Sequence, residues 1–416
     1  MSRTASEARH HDASMAAKKS AKAAKKPPAK AAKKPPAAAT KDQATKLEKK
    51  PARCGAIAAA LLAALVGFAL ADAGVTTRPI VASQRDRRFL SERINATLEH
   101  ATVREAVFES QGVRCHAWVF APTSRGPGPV PVVVMGHGFA GQKDQGLARY
   151  ADAFAAAGLA SFAIDYRTFG GSGGEPRHVV DPPAHAQDFV AAALHVLGGA
   201  DPALRAAGVT KRSKLGIWGS SMGGGHAIVA AAALGDLVGA VVSQMPMLDG
   251  FANSKFNIVT KGVAPSLRLG LAALHDMARA RFGFAPARVP AYAPLGALGV
   301  MNLPDDELAS WISKHPADRR YLGDWRNEVC ARTLLAVKDY RPLLLVPGVS
   351  APILFIRPGN DIVLPNDVVL EAAALARHPN STLYQLAPDV GHFHLYREAF
   401  PEASRVQAAF LVGALS

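Results

Sequence analysis

Residues Gly219–Ala227 read GSSMGGGHA, two serines in tandem ahead of three glycines. Ser221 has glycine at both the −2 and +2 positions, Gly219 and Gly223, whereas Ser220 has Trp218 and Met222 there. A side chain presented on a sharp strand-to-helix turn needs small residues on either side, because the backbone doubles back close to them. Ser221 alone meets that requirement. It follows the apolar run Lys214–Trp218 and precedes a helical pattern from Gly224 to Leu234, which turns a common glycine motif into a specific one. The second serine is therefore the candidate nucleophile, and a mere tight turn is the bland alternative.

Working outward, short apolar runs alternate with helical patterns from about Thr102. Val103–Glu109 and Val113–Phe120 flank Gln111-Gly112 as a hairpin. Strands are expected at Val130–Met135, Ser161–Tyr166, Lys214–Trp218, Val238–Gln244, Pro352–Ile356 and Leu383–Leu386. Helices are expected near Leu147–Ala156, Ala184–Leu197, Gly224–Leu234, Asn366–Ala376 and Ala399–Val412. Such alternation predicts an α/β fold, a mostly parallel central sheet with helices on both faces. Sites in these sheets lie beyond the carboxyl ends of the strands, so each candidate residue should fall just after a strand.

A serine hydroxyl is a weak nucleophile at neutral pH and needs a base, which needs an orienting acid. His392, in VGHFHLY, follows the last strand on a loop freed by Gly391, and His394 is its competitor. Asp361, in ILFIRPGNDIVLP, follows the strand Pro352–Ile356 and is the favoured acid; Asp249, in QMPMLDG, and Asp389 are the alternatives. A turn or helix-capping role is the plain reading of Asp361. Anion-stabilising donors are expected from the backbone amides of Phe139 and Met222. VVVMGHGFAG turns through Gly136-His137-Gly138 after a strand, with His137 as a brace for the loop, and Met222 opens the helix after the nucleophile.

MGHGFAG, AIDYRTFGGSGGEPR (Ala163–Arg177), GSSMGG, PGNDIVLP and GHFH occur in an order that resembles the α/β-hydrolase family, from about Thr102 to the C-terminus. Within it the chain is most similar to serine aminopeptidase-like, Xaa-Pro dipeptidyl-peptidase-like and dienelactone-hydrolase-like members, and Asp324–Pro342 also looks like a stretch found before their acid-bearing strand. Two departures stand out: Thr168 replaces the glycine usual after Arg167, and Asp361 follows Gly359 by two residues where three is commoner. The resemblance implies a serine hydrolase acting on an ester, thioester or amide. The rivals are an aminopeptidase or dipeptidyl-peptidase, for which no glutamate pair to hold a free amine is visible, and a catalytically idle binding protein.

About a hundred residues, roughly 250–350, break the alternation. Their helical candidates, Leu267–Arg281 and Asp306–Ile312, sit among Pro286, Pro290, Pro294 and Pro304. They read as a cap over the sheet edge whose Leu, Ala, Val and Phe content favours an apolar acyl group, with a peripheral insertion as the alternative. Arg167, Arg177 and Arg326 are candidate carboxylate binders, although exposed arginines usually bind only water.

The chain has 416 residues, 49% hydrophobic, and a formal charge of +15. Residues 1–53 carry 15 Lys and Arg against 4 Asp and Glu, and the remainder carries 33 against 29. The basicity thus belongs to a Lys/Ala/Pro-rich tail, with KAAKKPPA repeated at Lys22–Ala29 and Lys30–Ala37, which is expected to be disordered. A nucleic-acid role for it is disfavoured against a solvated tether or targeting extension. Cys54–Ala71 is eighteen residues without a charge, with Lys49, Lys50 and Arg53 before it and Asp72 after. Residues 54–72 therefore predict a signal-anchor or transmembrane helix, followed by a linker at 73–100. The catalytic domain would then face away from the cytoplasm, or be secreted or lumenal if the segment is a cleaved signal. The sequons at Asn95 and Asn380 would matter only there. Cys54, Cys115 and Cys330 form no disulfide framework, and without CxxC or HExxH no metal or other cofactor is expected.

Overall fold

A computed structural model describes residues 75–76, 94–313 and 325–416, all of which belong to one compact unit of the chain. Eight strands form its central sheet: β1 (Ala101–Ser110), β2 (Val113–Pro122), β3 (Val132–Gly136), β4 (Ala160–Ile164), β5 (Leu215–Ser220), β6 (Ala240–Gln244), β7 (Ile353–Arg357) and β8 (Thr382–Gln385). Their spatial order is β1-β2-β4-β3-β5-β6-β7-β8. The β1–β2 and β2–β4 pairs are antiparallel and every other pair is parallel. This is the mostly parallel sheet that the alternation predicts.

The central strands β3, β4, β5 and β6 are buried along their whole length, because helices cover both faces. The longer helices are α1 (Leu147–Ala156), α2 (Pro182–Gly198), α3 (Met222–Leu234), α4 (Gly250–Lys261), α5 (Val263–Arg281), α6 (Asp305–Ser313), α7 (Asp367–Leu375) and α8 (Phe400–Leu415), with short ones at Pro202–Ala206 and Thr333–Lys338. Alternate residues of β3 divide between two cores. Val133 and Met135 join Tyr150 and Phe154 of α1 and Leu411 of α8. Val132 and Val134 join Phe189 of α2, Ile228 of α3 and Val369 of α7.

Local chemistry sets the helix ends. Asp181 caps α2 through the Ala184 amide at 3.2 Å, Pro182 supplies the first turn, and Gly199 closes the helix at φ 64. Between β6 and β7 lie α4, α5, α6, three-residue strands at Tyr292–Pro294 and Met301–Leu303, and two-residue strands at Arg288–Val289 and Val329–Cys330. The sequence pattern predicts α5 and α6 and misses α4.

The membrane expectation does not hold. Among the described residues no helix is long and apolar enough to cross a membrane, so the single-pass arrangement, and the side of a membrane it assigned to the catalytic domain, are not supported. The segment 54–72 on which it rested, and the basic tail, lie outside the described residues.

Candidate active site

Ser221 stands between the end of β5 and the start of α3, at φ 57 and ψ −120. L-residues rarely adopt that region, and here surrounding bonds hold it. The Ser221 amide donates to the Gln244 carbonyl at 2.9 Å, and its carbonyl accepts from the Gly224 and Met247 amides, each at 2.9 Å. The flanking glycines are required by space. A Cβ on Gly219 would lie 1.9 Å from the Gly223 carbonyl oxygen, and one on Gly223 would lie 2.4 Å from that of His137. Gly138 passes so close that a Cβ there would meet the Ser221 Cβ at 3.1 Å.

The two serines point into different surroundings. Ser220 is fully buried and accepts from the Tyr396 hydroxyl at 2.6 Å and the Gln244 side-chain Nε2 at 3.1 Å. Ser221 Oγ lies 3.2 Å from His392 Nε2, and His392 Nδ1 lies 2.7 Å from Asp361 Oδ2. The other carboxylate oxygen of Asp361 accepts from the Val363 and Leu364 amides at 2.8 and 2.9 Å. That arrangement fixes the carboxylate, and through it the imidazole ring.

The competitors are engaged elsewhere. Asp249 caps α4 through the Ala252 amide at 2.8 Å and pairs with Arg341 at 2.7 Å. His394 Nδ1 accepts from the Gly391 amide at 3.1 Å, and its Nε2 lies 3.7 Å from Glu307. It therefore braces the loop that carries His392. Asp389 is exposed. Arg167 is bound by Asp188 at 2.6 Å, and Arg177 by the Ser172 and Gly170 carbonyls, so neither presents a free guanidinium; Arg326 is exposed.

His137 is buried, and burial brings its pKa down to about 4, so the ring is neutral. Its Nδ1 lies 2.9 Å from the Gly138 carbonyl. The inserted segment also grips this loop: the Tyr292 hydroxyl donates to the Phe139 carbonyl at 3.1 Å, and the Trp325 indole to that of Ala140 at 2.8 Å. Phe139, Met222 and Ser221 all line one cavity of about 760 Å³, walled on the far side by α4, α5 and Val300–Asn302. On the other side of Ser221, a narrow pocket runs between His392 and the aromatic rings of Tyr292, Trp311, Phe393 and Tyr396. Neither Tyr292 nor Trp325 carries a sequence signal for this role. Both lie in the segment where the alternation stops.

Thr168 has φ 68, a conformation that favours glycine. Its hydroxyl donates to the Val179 carbonyl at 2.7 Å and its amide to the Gly173 carbonyl at 2.7 Å, bonds that hold the residue in a costly region. Cys115 and Cys330 are buried free thiols, pushed up to about 12 by burial. Among the described residues no group of three or more His, Cys, Asp or Glu side chains is arranged to hold a metal ion.

Comparison with known proteins agrees with this architecture. A family model for the alpha/beta hydrolase fold matches residues 131–399. The chain belongs to the α/β-hydrolase family. It is 34% identical over 308 residues to the quorum-quenching protein AidA of Acinetobacter baumannii, covering 73% of this chain and 92% of that one. It is 25% identical over 244 residues to the thiohydrolase aneE of Aspergillus aculeatus, covering 58% and 72%. The crystal structure of the hypothetical protein PA2218 from Pseudomonas aeruginosa superposes with a TM-score of 0.61 at 23% identity, covering 82% of this chain and all of that one. As an α/β hydrolase with a thiohydrolase relative, the chain is an enzyme that performs hydrolysis.

Proposed function

We propose that this α/β hydrolase cleaves carboxylic esters or thioesters, with Ser221 as nucleophile, His392 as general base and acid, and Asp361 as the group that orients His392. The observation that carries the reading is the continuous relay from Ser221 Oγ through His392 to Asp361, at 3.2 and 2.7 Å, on a left-handed turn beside a large cavity.

Ser221 Oγ attacks the carbonyl carbon while His392 Nε2 takes its proton. The carbonyl oxygen becomes an oxyanion held by the Phe139 and Met222 amides. Met222 is the first residue of α3, where unpaired amides and the helix dipole favour negative charge. Collapse of the tetrahedral adduct breaks the bond to the leaving oxygen or sulfur, which receives the proton from His392 and departs as alcohol or thiol. Water, deprotonated by the same imidazole, then attacks the acyl-serine. The acid leaves and Ser221 regains its proton. The apolar lining of the cavity supports an apolar acyl group, and the thiohydrolase relative supports including thioesters among the substrates.

A fluorophosphonate probe tests the assignment. The wild-type protein should be labelled. Ser221→Ala should lose labelling and, on short aryl esters, turnover by a factor on the order of 10⁶, while Ser220→Ala should still be labelled. Undiminished labelling of the Ser221→Ala protein would overturn the reading.

A further inference from the structure

The cavity beside Ser221 is mostly apolar, yet one cation is set into its wall. Among the described residues three charged side chains line it: Asp361, Lys338 and Lys261. Asp361 is taken by His392 and two amides. Lys338 is exposed and pairs with Asp339 at 2.6 Å. Lys261 differs from both. It is the last residue of α4, its ammonium donates to the Val300 carbonyl, and among the described residues no carboxylate lies within salt-bridge distance of it. Burial alone lowers its pKa, to about 8. A half-buried ammonium without a counter-ion is costly. Its neighbours Val300, Met301 and Asn302 line the same cavity, so the free N–H groups have the cavity as their outlet.

We infer that Lys261 is the specificity residue of this site and that the enzyme's substrates carry a carboxylate on the part of the acyl group that fills the cavity. This deepens the proposed function and rests on it. A carboxylate arriving with the substrate supplies the missing counter-charge at a half-buried site, where such pairs discriminate between partners. The apolar lining between Ser221 and Lys261 accommodates the methylene chain. Half-esters and half-thioesters of dicarboxylic acids have this chemistry, and simple alkanoate esters lack its charged end.

The test uses the full chain and two matched series of p-nitrophenyl esters: alkanoates of four to ten carbons, and the corresponding mono-esters of α,ω-dicarboxylic acids. At the chain length that spans the cavity, the wild-type enzyme should favour the half-ester over the alkanoate by tenfold or more in kcat/KM. Lys261→Met should bring that ratio to about one, chiefly through KM, with roughly a thirtyfold loss on the half-ester. Lys261→Arg should restore part of it. A merely structural defect lowers both series together and leaves the ratio where it was. Hydrolysis of alkanoates with no half-ester preferred at any length, or a preference that survives Lys261→Met, would overturn the inference while leaving the hydrolase reading intact. Failure of every ester together with absence of fluorophosphonate labelling would overturn both.

Discussion

The end of the sheet that carries Ser221 and the inserted segment that faces it are built on opposite principles. At the sheet end, backbone packs directly on backbone: Gly219 against Gly223, Gly223 against His137, Gly225 against the Met247 carbonyl, with no room for a methyl group. In the insertion the helices keep open space and exposed apolar side chains, such as Val259, Val263 and Leu267, and Gly270, within α5, has nothing within 4 Å of where a Cβ would sit. The difference teaches that position is held by the first region and, on the proposed reading, leaves substrate choice to the second. A turn that aims a nucleophile tolerates almost no displacement, whereas a cavity wall need only exclude water and match a shape.

One kind of substitution therefore has opposite signs in the two regions. Gly219→Ala drives a Cβ to 1.9 Å from the Gly223 carbonyl. It is expected to lower stability by about 3 kcal/mol or more and to abolish fluorophosphonate labelling, as read by thermal unfolding and gel fluorescence. Normal stability and labelling would show that the turn has slack.

Acid sharpens the contrast at a smaller scale. Behind the Ser221 turn, His137, His185 and His226 surround Tyr166, with ring centroids 4.5, 4.9 and 5.2 Å from it. Burial depresses all three, to about 4 for His137, to about 3 for His226 and well below the ordinary value for His185. The unfolded chain takes protons below about pH 6.5 that the fold refuses, so the unfolded state binds more protons and stability rises with pH. The contribution is complete above pH 6.5 and disappears as pH falls through 4 and 3. Asp165 acts lower down: burial raises its pKa, but the Lys143 ammonium at 2.5 Å prevails and holds it at about 2, so its share goes between about pH 4 and 2. Tm should fall steadily from pH 6.5 to 4, and His185→Phe should flatten that slope. A level Tm across this range would refute the account.

The smallest effect belongs to the insertion. Gly270→Ala replaces a flexible helical residue where nothing opposes the methyl group, and a gain of about 0.5–1 kcal/mol is expected from denaturant unfolding. A loss would mean that α5 packs more tightly than its surroundings imply.

The same division governs what could be read from the sequence. Continuous apolar runs and turn glycines announce the sheet, because buried parallel strands tolerate little else. The rule that sites follow strand ends then leads to Ser221, Asp361 and His392. Boundaries slipped where pairing overrode propensity: β5 runs on through Gly219 and Ser220 because they pair with Ser243 and Gln244 of β6. Helix α4 escaped notice because FANSKFNIVTK is rich in Asn and β-branched residues, which are weak helix formers. It is helical because Asp249 caps it and because Gly250 lets it seat against the Val337 carbonyl, 1.9 Å from where a Cβ would lie. Asp249 thus reads equally as an acid after a strand or as a cap, and only its contacts decide. Lys261 carried no signal, since a lysine closing a weak helix looks like surface.

The tandem serines offer no spare. Rotation of the backbone at position 221 sends neighbouring hydroxyls to separate fates, one among interior hydrogen bonds and one beside the His392 imidazole. On the proposed assignment, losing the second does not promote the first, and Ser221→Ala is expected to leave the cavity intact while removing the nucleophile.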